Sequence, residues 1–466
     1  MNAPVSRRDL LAAGTSAAAV FATATRSTRA QVSANEKLGL ATIGCGGQGT
    51  HDTRSILEAG GGAVELVAIA DPDPRHTDRF AGQMSERGVK VQAYKDFRKL
   101  LERKDIDLVV VGTPDHWHAI ATILACQAGK DVYVEKPCSH NISEGRAMVN
   151  AARKYKRIVQ VGQQQRSDPH FIEAMNYLRT GKPLGRISRT LTMNYDNETP
   201  NGIGNPPDED NAPAGVDYDL WLGPAPKRKF NRNRFHWSFR WFYDYAGGMM
   251  GDWNVHIQDI VHWGMDVNAP LTVCATGGKQ VLADNRETPD MLDVLYEYMS
   301  KDGPFTQLYT MSKVYHRGRY PNGYGTEFFG TEGSLFIDRG GWEVTPAMRG
   351  RQIDDPDNPG KKKTVHEPRT PAVKKGGGDS VLPHAQNFLA CVRSRKWEDL
   401  HCDIEVGHRT ATVCHLGNIS HRLGNRKIYW DAEKEIITLA DGRTPDAQAN
   451  VLLGREYRKG FELPEV

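Results

Sequence analysis

Leu38-Gly39-Leu40-Ala41-Thr42-Ile43-Gly44-Cys45-Gly46-Gly47-Gln48-Gly49 decides the fold. The apolar run Leu38 to Ile43 reads as a buried parallel strand. It runs straight into Gly44-x-Gly46-x-x-Gly49, and a helical pattern with Thr53, Ile56 and Leu57 follows. Strand, glycine turn and helix are the context in which such glycines bind a dinucleotide. Gly44 permits the tight turn, Gly46 leaves room for a pyrophosphate against the backbone, and Gly49 lets helix and strand pack closely. The N–H groups of Gly47, Gln48 and the rest of the first helical turn then face the phosphates. A second apolar strand, Val64 to Ala70, ends in Asp71. That acid is placed for a ribose 2′-hydroxyl, which favours NAD over NADP.

Working outward, α/β alternation continues. Val89 to Val91 reads as a short strand, and Asp107 to Val111 as a strand that ends in Gly112-Thr113-Pro114. Helix His116 to Ala128 leads to strand Val132 to Val134 and then Glu135-Lys136-Pro137. Helix Ser143 to Tyr155 and strand Ile158 to Val161 complete a first domain over 37–165. Repeated βα units imply a doubly wound parallel sheet. Its ligands bind beyond the carboxyl ends of the strands, where Gly44, Asp71, Thr113, Pro114, Glu135 and Lys136 all stand.

Past residue 165 the runs alternate or carry aromatics, as in Leu292 to Met299 and Phe305 to Met311. They read as a second α+β domain over 166–425 with an open, mostly antiparallel sheet. Segments 196–216 and 351–378, rich in Asn, Pro, Gly and Lys, read as long surface loops. Residues 426–466 form a C-terminal extension.

The 466 residues hold 60 basic and 57 acidic side chains, a formal net charge of +3. Arg7, Arg8, Arg26 and Arg29 against Asp9 account for that excess, so the balance argues against nucleic acid as a partner. Seven scattered cysteines show no metal-ligand spacing and no disulfide framework. Ser6-Arg7-Arg8-Asp9-Leu10-Leu11 precedes a mildly apolar run to about Ala24. That run falls short of the roughly 20 apolar residues a bilayer span needs, so no stable membrane anchor is expected. Residues 1–36 read as a twin-arginine signal and linker, which implies a periplasmic or otherwise exported protein. The twin-arginine route carries folded proteins, which suits a chain that must acquire NAD before export.

The fingerprint, Pro114-x-x-x-His118, Gly129-Lys130-Asp131-Val132-Tyr133-Val134-Glu135-Lys136-Pro137 and Asp252-x-x-x-His256 together resemble the Gfo/Idh/MocA oxidoreductases. The resemblance covers nearly all of residues 37–425. It implies a Rossmann domain followed by an open-faced α/β domain, a homo-oligomer (dimer or tetramer), and His118 near the cofactor. Substrate identity does not transfer, because the long loops and the aromatic segment before Gly247 depart from the best-studied dehydrogenases.

Oxidising a secondary alcohol with NAD needs a base for the hydroxyl proton and an acceptor for the hydride. Lys136 would stabilise developing alkoxide charge, with Glu135 orienting it or the nicotinamide ribose. Asp252 and His256, four residues apart, share a helical face. His256 is read as general base or proton shuttle, and Asp252 as its partner or as a substrate ligand; Asp252 is also placed to cap the helix. Arg240 and Trp241, within the Arg- and aromatic-rich run Arg234 to Tyr245, suit a sugar, with about half of the rings expected in the core. Arg166, after a strand aimed at the interdomain cleft, is a further substrate candidate. No metal site is assigned. The resulting expectation is an oxidoreductase that moves hydride between tightly bound NAD and a sugar, sugar derivative or cyclitol. The alternatives are a glycosidase or lyase that oxidises a sugar transiently with no net redox change, and a non-catalytic, cofactor-bound sugar-binding protein.

Overall fold

The computed structural model describes residues 37–316 and 322–466; the twin-arginine segment lies outside the described residues. Among the described residues no helix is long and apolar enough to cross a membrane.

Six parallel strands form the first sheet: β1 (Leu38–Ile43), β2 (Val64–Ala70), β3 (Gln92–Tyr94), β4 (Leu108–Val111), β5 (Asp131–Val134) and β6 (Val159–Val161). Their order is β3-β2-β1-β4-β5-β6, so the direction of winding reverses between β1 and β4. Every residue of β4 and β5 is buried, as expected of strands covered on both faces. The third strand falls at 92–94 rather than 89–91. Val89 and Val91 instead pack against the core as they enter the sheet edge.

The second sheet has ten strands. β7 (Ile187–Tyr195), β8 (Thr272–Gly278), β9 (Met291–Ser300), β10 (Gly303–Ser312), β11 (Tyr324–Gly330), β12 (Gly333–Asp338) and β13 (Gly341–Pro346) form most of it. Only β7 and β10 pair in parallel; the other neighbours are antiparallel. Leu292, Val294, Tyr296 and Tyr298 of β9 point into the core, while Leu295 and Met299 on the opposite face are 45% and 56% exposed. Helices Pro169–Arg179, Val255–Met265 and Ile404–Arg422 cover the inner face through residues such as Phe171, Ile260 and Leu416.

Two readings of the sequence are corrected. Segment 351–378 is not a loop but a hairpin, β14 (Met348–Asp354) and β15 (Lys362–Pro368), followed by the edge strand β16 (Val373–Gly376). Its polar composition hid a strand stabilised by cross-strand charge pairs, Lys362 with Asp354 and Arg349 with Glu367. Residues 166–425 are also not one separate body. Helix Val381–Ser394 sends Phe388, Leu389 and Val392 into the core formed by β1, β2 and β4, and Ile404 and Ala411 join the core on the other face of that sheet. The extension is divided as well. β17 (Ile428–Asp431) and β18 (Ile436–Thr438) lengthen the second sheet. The tail beyond returns to the first domain, where Arg455 pairs with Glu144 at 2.6 Å and Phe461 packs edge-on against Trp117.

Candidate active site

A cleft of about 760 Å³ runs along the carboxyl ends of β1, β2, β4 and β5. At one end the β1 turn makes an anion cradle. Gly44 has φ of +88°, and a Cβ on Gly49 would stand 2.1 Å from the Gly44 carbonyl, so both positions require glycine. Gly46 and Gly47 face open space instead. Helix Gly47–Gly60 starts from Gly46 with no side-chain cap, leaving its first N–H groups for a ligand. Gln48 lines the cleft and donates from Nε2 to Asp52 at 2.9 Å.

Asp71 closes this end. Its carboxylate accepts from the backbone N–H groups of Cys45 (2.8 Å) and Asp73 (2.9 Å) and lies 3.2 Å from His76 Nδ1. Asp73, His76 and His236 bring ligand atoms within 4.8 Å of one another, a grouping the sequence reading did not foresee. It is already bonded internally: His236 Nε2 lies 2.7 Å from Asp73 Oδ2, and Arg75 donates to the same carboxylate.

Thr113 and Pro114 line the middle of the cleft, and Thr113 Oγ1 is buried with no hydrogen-bond partner among the described residues. The open glycine cradle, uncapped helix start, Asp71 and this orphan hydroxyl fit a dinucleotide. His118 does not line the cleft. Its Nδ1 lies 2.7 Å from the Pro137 carbonyl and its Nε2 2.9 Å from that of Thr113. Burial pushes its pKa down to about 4, so the neutral ring ties these two loops from behind, donating to one carbonyl at a time.

At the other end, Lys136 Nζ donates to Asp252 Oδ1 and to the Asp252 carbonyl, both at 2.9 Å. Arg240 Nη1 meets Asp252 Oδ2 at 2.6 Å. Burial opposes ionisation of Asp252, but Lys136 and Arg240 outweigh it and hold the carboxyl far below the usual range. Asp252 is therefore not the partner of His256, nor a helix cap. It lies in a π-helical turn, Met250–Asn254, that precedes helix Val255–Met265 and turns its side chain toward Lys136. His256 lines the cleft, its Nδ1 buried and without a hydrogen-bond partner among the described residues. Burial first, then the Arg339 and Lys136 charges, keep it neutral.

Glu135 accepts from Gln164 Nε2 and from the Lys136 N–H, both at 3.2 Å. Burial raises the Glu135 pKa to about 6, and the burial of Asp52 itself, then the Glu135 charge, lifts the Asp52 carboxyl well above its ordinary range, so this pair retains a proton.

Two substrate candidates are corrected. Arg166 forms a two-pronged ion pair with Asp259 (2.7 and 2.8 Å) and does not line the cleft. Trp241 is buried beneath the charges of Arg286 and Lys313 and belongs to the core. Sequence reasoning missed Asp115, Trp253 and Arg339, which do line the cleft. Asp115 was detectable from its position directly after Thr113-Pro114. Its burial next to Asp252 raises its pKa to about 8 against the opposing charges of Lys136 and Arg240. Arg339, on the β12–β13 turn, had no local signal.

Residues 38–163 match an oxidoreductase family described by its NAD-binding Rossmann fold, and residues 201–298 match that family's C-terminal α/β domain. The chain belongs to the Gfo/Idh/MocA oxidoreductase family. Inositol 2-dehydrogenase 4 of Saccharopolyspora erythraea is 33% identical over 154 residues, 33% of this chain and 44% of that protein. The scyllo-inositol 2-dehydrogenase (NAD(+)) of Bacillus subtilis is 24% identical over 297 residues, 64% of this chain and 72% of that one. The chain thus spans less than half the length of the first of these relatives. A levoglucosan dehydrogenase solved with NADH and levoglucosan shares the fold, with TM-score 0.56, 19% identity, and coverage of 84% of this chain and 99% of that one. In this Gfo/Idh/MocA protein the cradle and the Lys136–Asp252 pair line the same cleft.

Proposed function

We propose that the protein is an NAD-dependent dehydrogenase acting on a hydroxyl or keto group of a sugar, sugar derivative or cyclitol. The observation that carries this reading is the Lys136–Asp252–Arg240 group lining the same cleft as the glycine cradle. The inositol-dehydrogenase relatives support a polyol substrate. Gly46, Gly47, Asp71, Thr113 and Glu135 would hold NAD, which supplies the hydride acceptor when bound. Lys136 uses two of its three N–H donors on Asp252 and keeps the third for a substrate oxygen. That donor stabilises negative charge as the hydroxyl proton leaves. Neutral His256 offers a nitrogen to take the proton. Protonated Asp115 presents an O–H donor rather than a second negative charge. Asp252 fixes Lys136 and Arg240 in place.

Export through Arg7-Arg8 with NAD already bound, and pairing of subunits through the face bearing Leu295 and Met299, complete the reading. The test is to load purified protein with NAD and titrate sugars and cyclitols while recording reduced-nicotinamide absorbance. Reversible reduction by a polyol is expected. Bound NAD that no sugar or cyclitol reduces would reject the reading.

A further inference from the structure

The active-site end of the cleft holds more positive charge than it neutralises. Lys136, Arg240 and Arg339 face it, and Lys136 and Arg240 converge on one ionised carboxylate, Asp252. Asp115, packed beside Asp252, holds its proton through neutral pH. Among the described residues no carboxylate lies within 4.0 Å of Arg339. Its guanidinium rests 5.0 Å from the centre of the Trp253 ring, which also packs against Tyr324 (4.6 Å) and His256 (5.9 Å).

The backbone beneath Arg339 is fixed. Asp338 accepts from the Gly340 N–H at 2.7 Å and from Asn322 Nδ2 at 2.8 Å, and its carbonyl lies 2.8 Å from His170 Nε2. The Arg339 carbonyl lies 2.2 Å from where Gly377 would carry a Cβ. A rigid turn thus presents an exposed, unpaired guanidinium to the cleft, backed by an aromatic face. That is the recognition chemistry of a planar anion.

Resting on the dehydrogenase reading above, we propose that the substrate is a sugar acid and that Arg339 receives its carboxylate in a two-pronged ion pair. A carboxylate supplies the anion that Arg339 lacks, in the planar, two-pronged geometry a guanidinium fits. A neutral polyol would leave Arg339 without a partner.

Binding and turnover of D-glucuronate, D-galacturonate and D-gluconate should be compared with D-glucose, D-galactose and myo-inositol. Binding is measured by calorimetry on the NADH-loaded protein, and turnover by reduced-nicotinamide absorbance. At least one acid should bind about tenfold or more tighter than its neutral counterpart. Arg339→Gln should weaken that acid roughly 10- to 100-fold, the range a lost charge-assisted hydrogen bond gives, with NAD affinity unchanged. Acid binding that depends on Arg339 without any turnover would support this inference while rejecting the dehydrogenase reading. Turnover of neutral sugars in preference to acids, acid affinity unchanged in Arg339→Gln, or no acid binding would overturn the inference. A fall in NAD affinity in Arg339→Gln would also overturn it, by assigning Arg339 to the cofactor.

Discussion

Lys136 and Asp252 stand 116 residues apart in the chain and meet at 2.9 Å, joining the end of β5 to the π-helical turn of the second domain. The pair sets both the charge state and the geometry of the reacting centre. Lys136→Met should lower kcat by about 10²–10⁴-fold with NAD still bound, and steady-state kinetics beside a fluorescence titration of NAD would check it.

Asp252→Asn leaves two cations facing a neutral amide. Removing one member of a buried pair costs on the order of 3 kcal/mol, so the urea midpoint should fall as well as kcat. An unchanged midpoint would show that solvent, not Asp252, balances Lys136 and Arg240.

Asp115 makes stability depend on pH in a definite direction. Its folded-state pKa of about 8 lies above the ordinary 3.8, so the folded state binds the proton more tightly. The resulting stability is full below about pH 4 and is lost as pH rises through 8. Against Asp115→Asn, which does not titrate, the wild type should lose stability steadily between pH 5 and pH 8.5. Urea titrations at those two pH values give the answer, and parallel behaviour would place the Asp115 pKa near normal.

Neutral His256 should add no ionisation step to kcat/KM near neutral pH, and His256→Ala should slow turnover by about 10²–10⁴-fold. Near-normal turnover in that variant would reduce His256 to packing against Trp253.

Asp71→Ala should raise the Kd for NAD roughly 10- to 100-fold and narrow the preference over NADP. Equilibrium titrations with both dinucleotides measure it.

Local patterns placed the nucleotide half well. Val109 to Val111 and Val132 to Val134 are short apolar strands whose ends had to carry the ligand, so Thr113 and Lys136 could be read directly. What depends on distant contacts could not. Whether Arg240 or Trp241 faces the cleft depends on which turn of the 3-10 segment His236–Trp241 meets the core. Asp252 was noticed through the i, i+4 rule, but a π-helical turn breaks that rule and gives the side chain to Lys136. Arg166 was aimed correctly along the chain and then captured by Asp259, a partner no spacing reveals.

Helix Val381–Ser394 has a consequence for how the molecule is made. Phe388 and Leu389 complete the core behind β1, although that strand is among the first parts of the described chain to be synthesised. The second domain is in effect an insertion within the first. The face of the sheet behind β1 is therefore closed by residues that leave the ribosome about 340 positions after that strand, so full burial of the nucleotide half is expected late in synthesis.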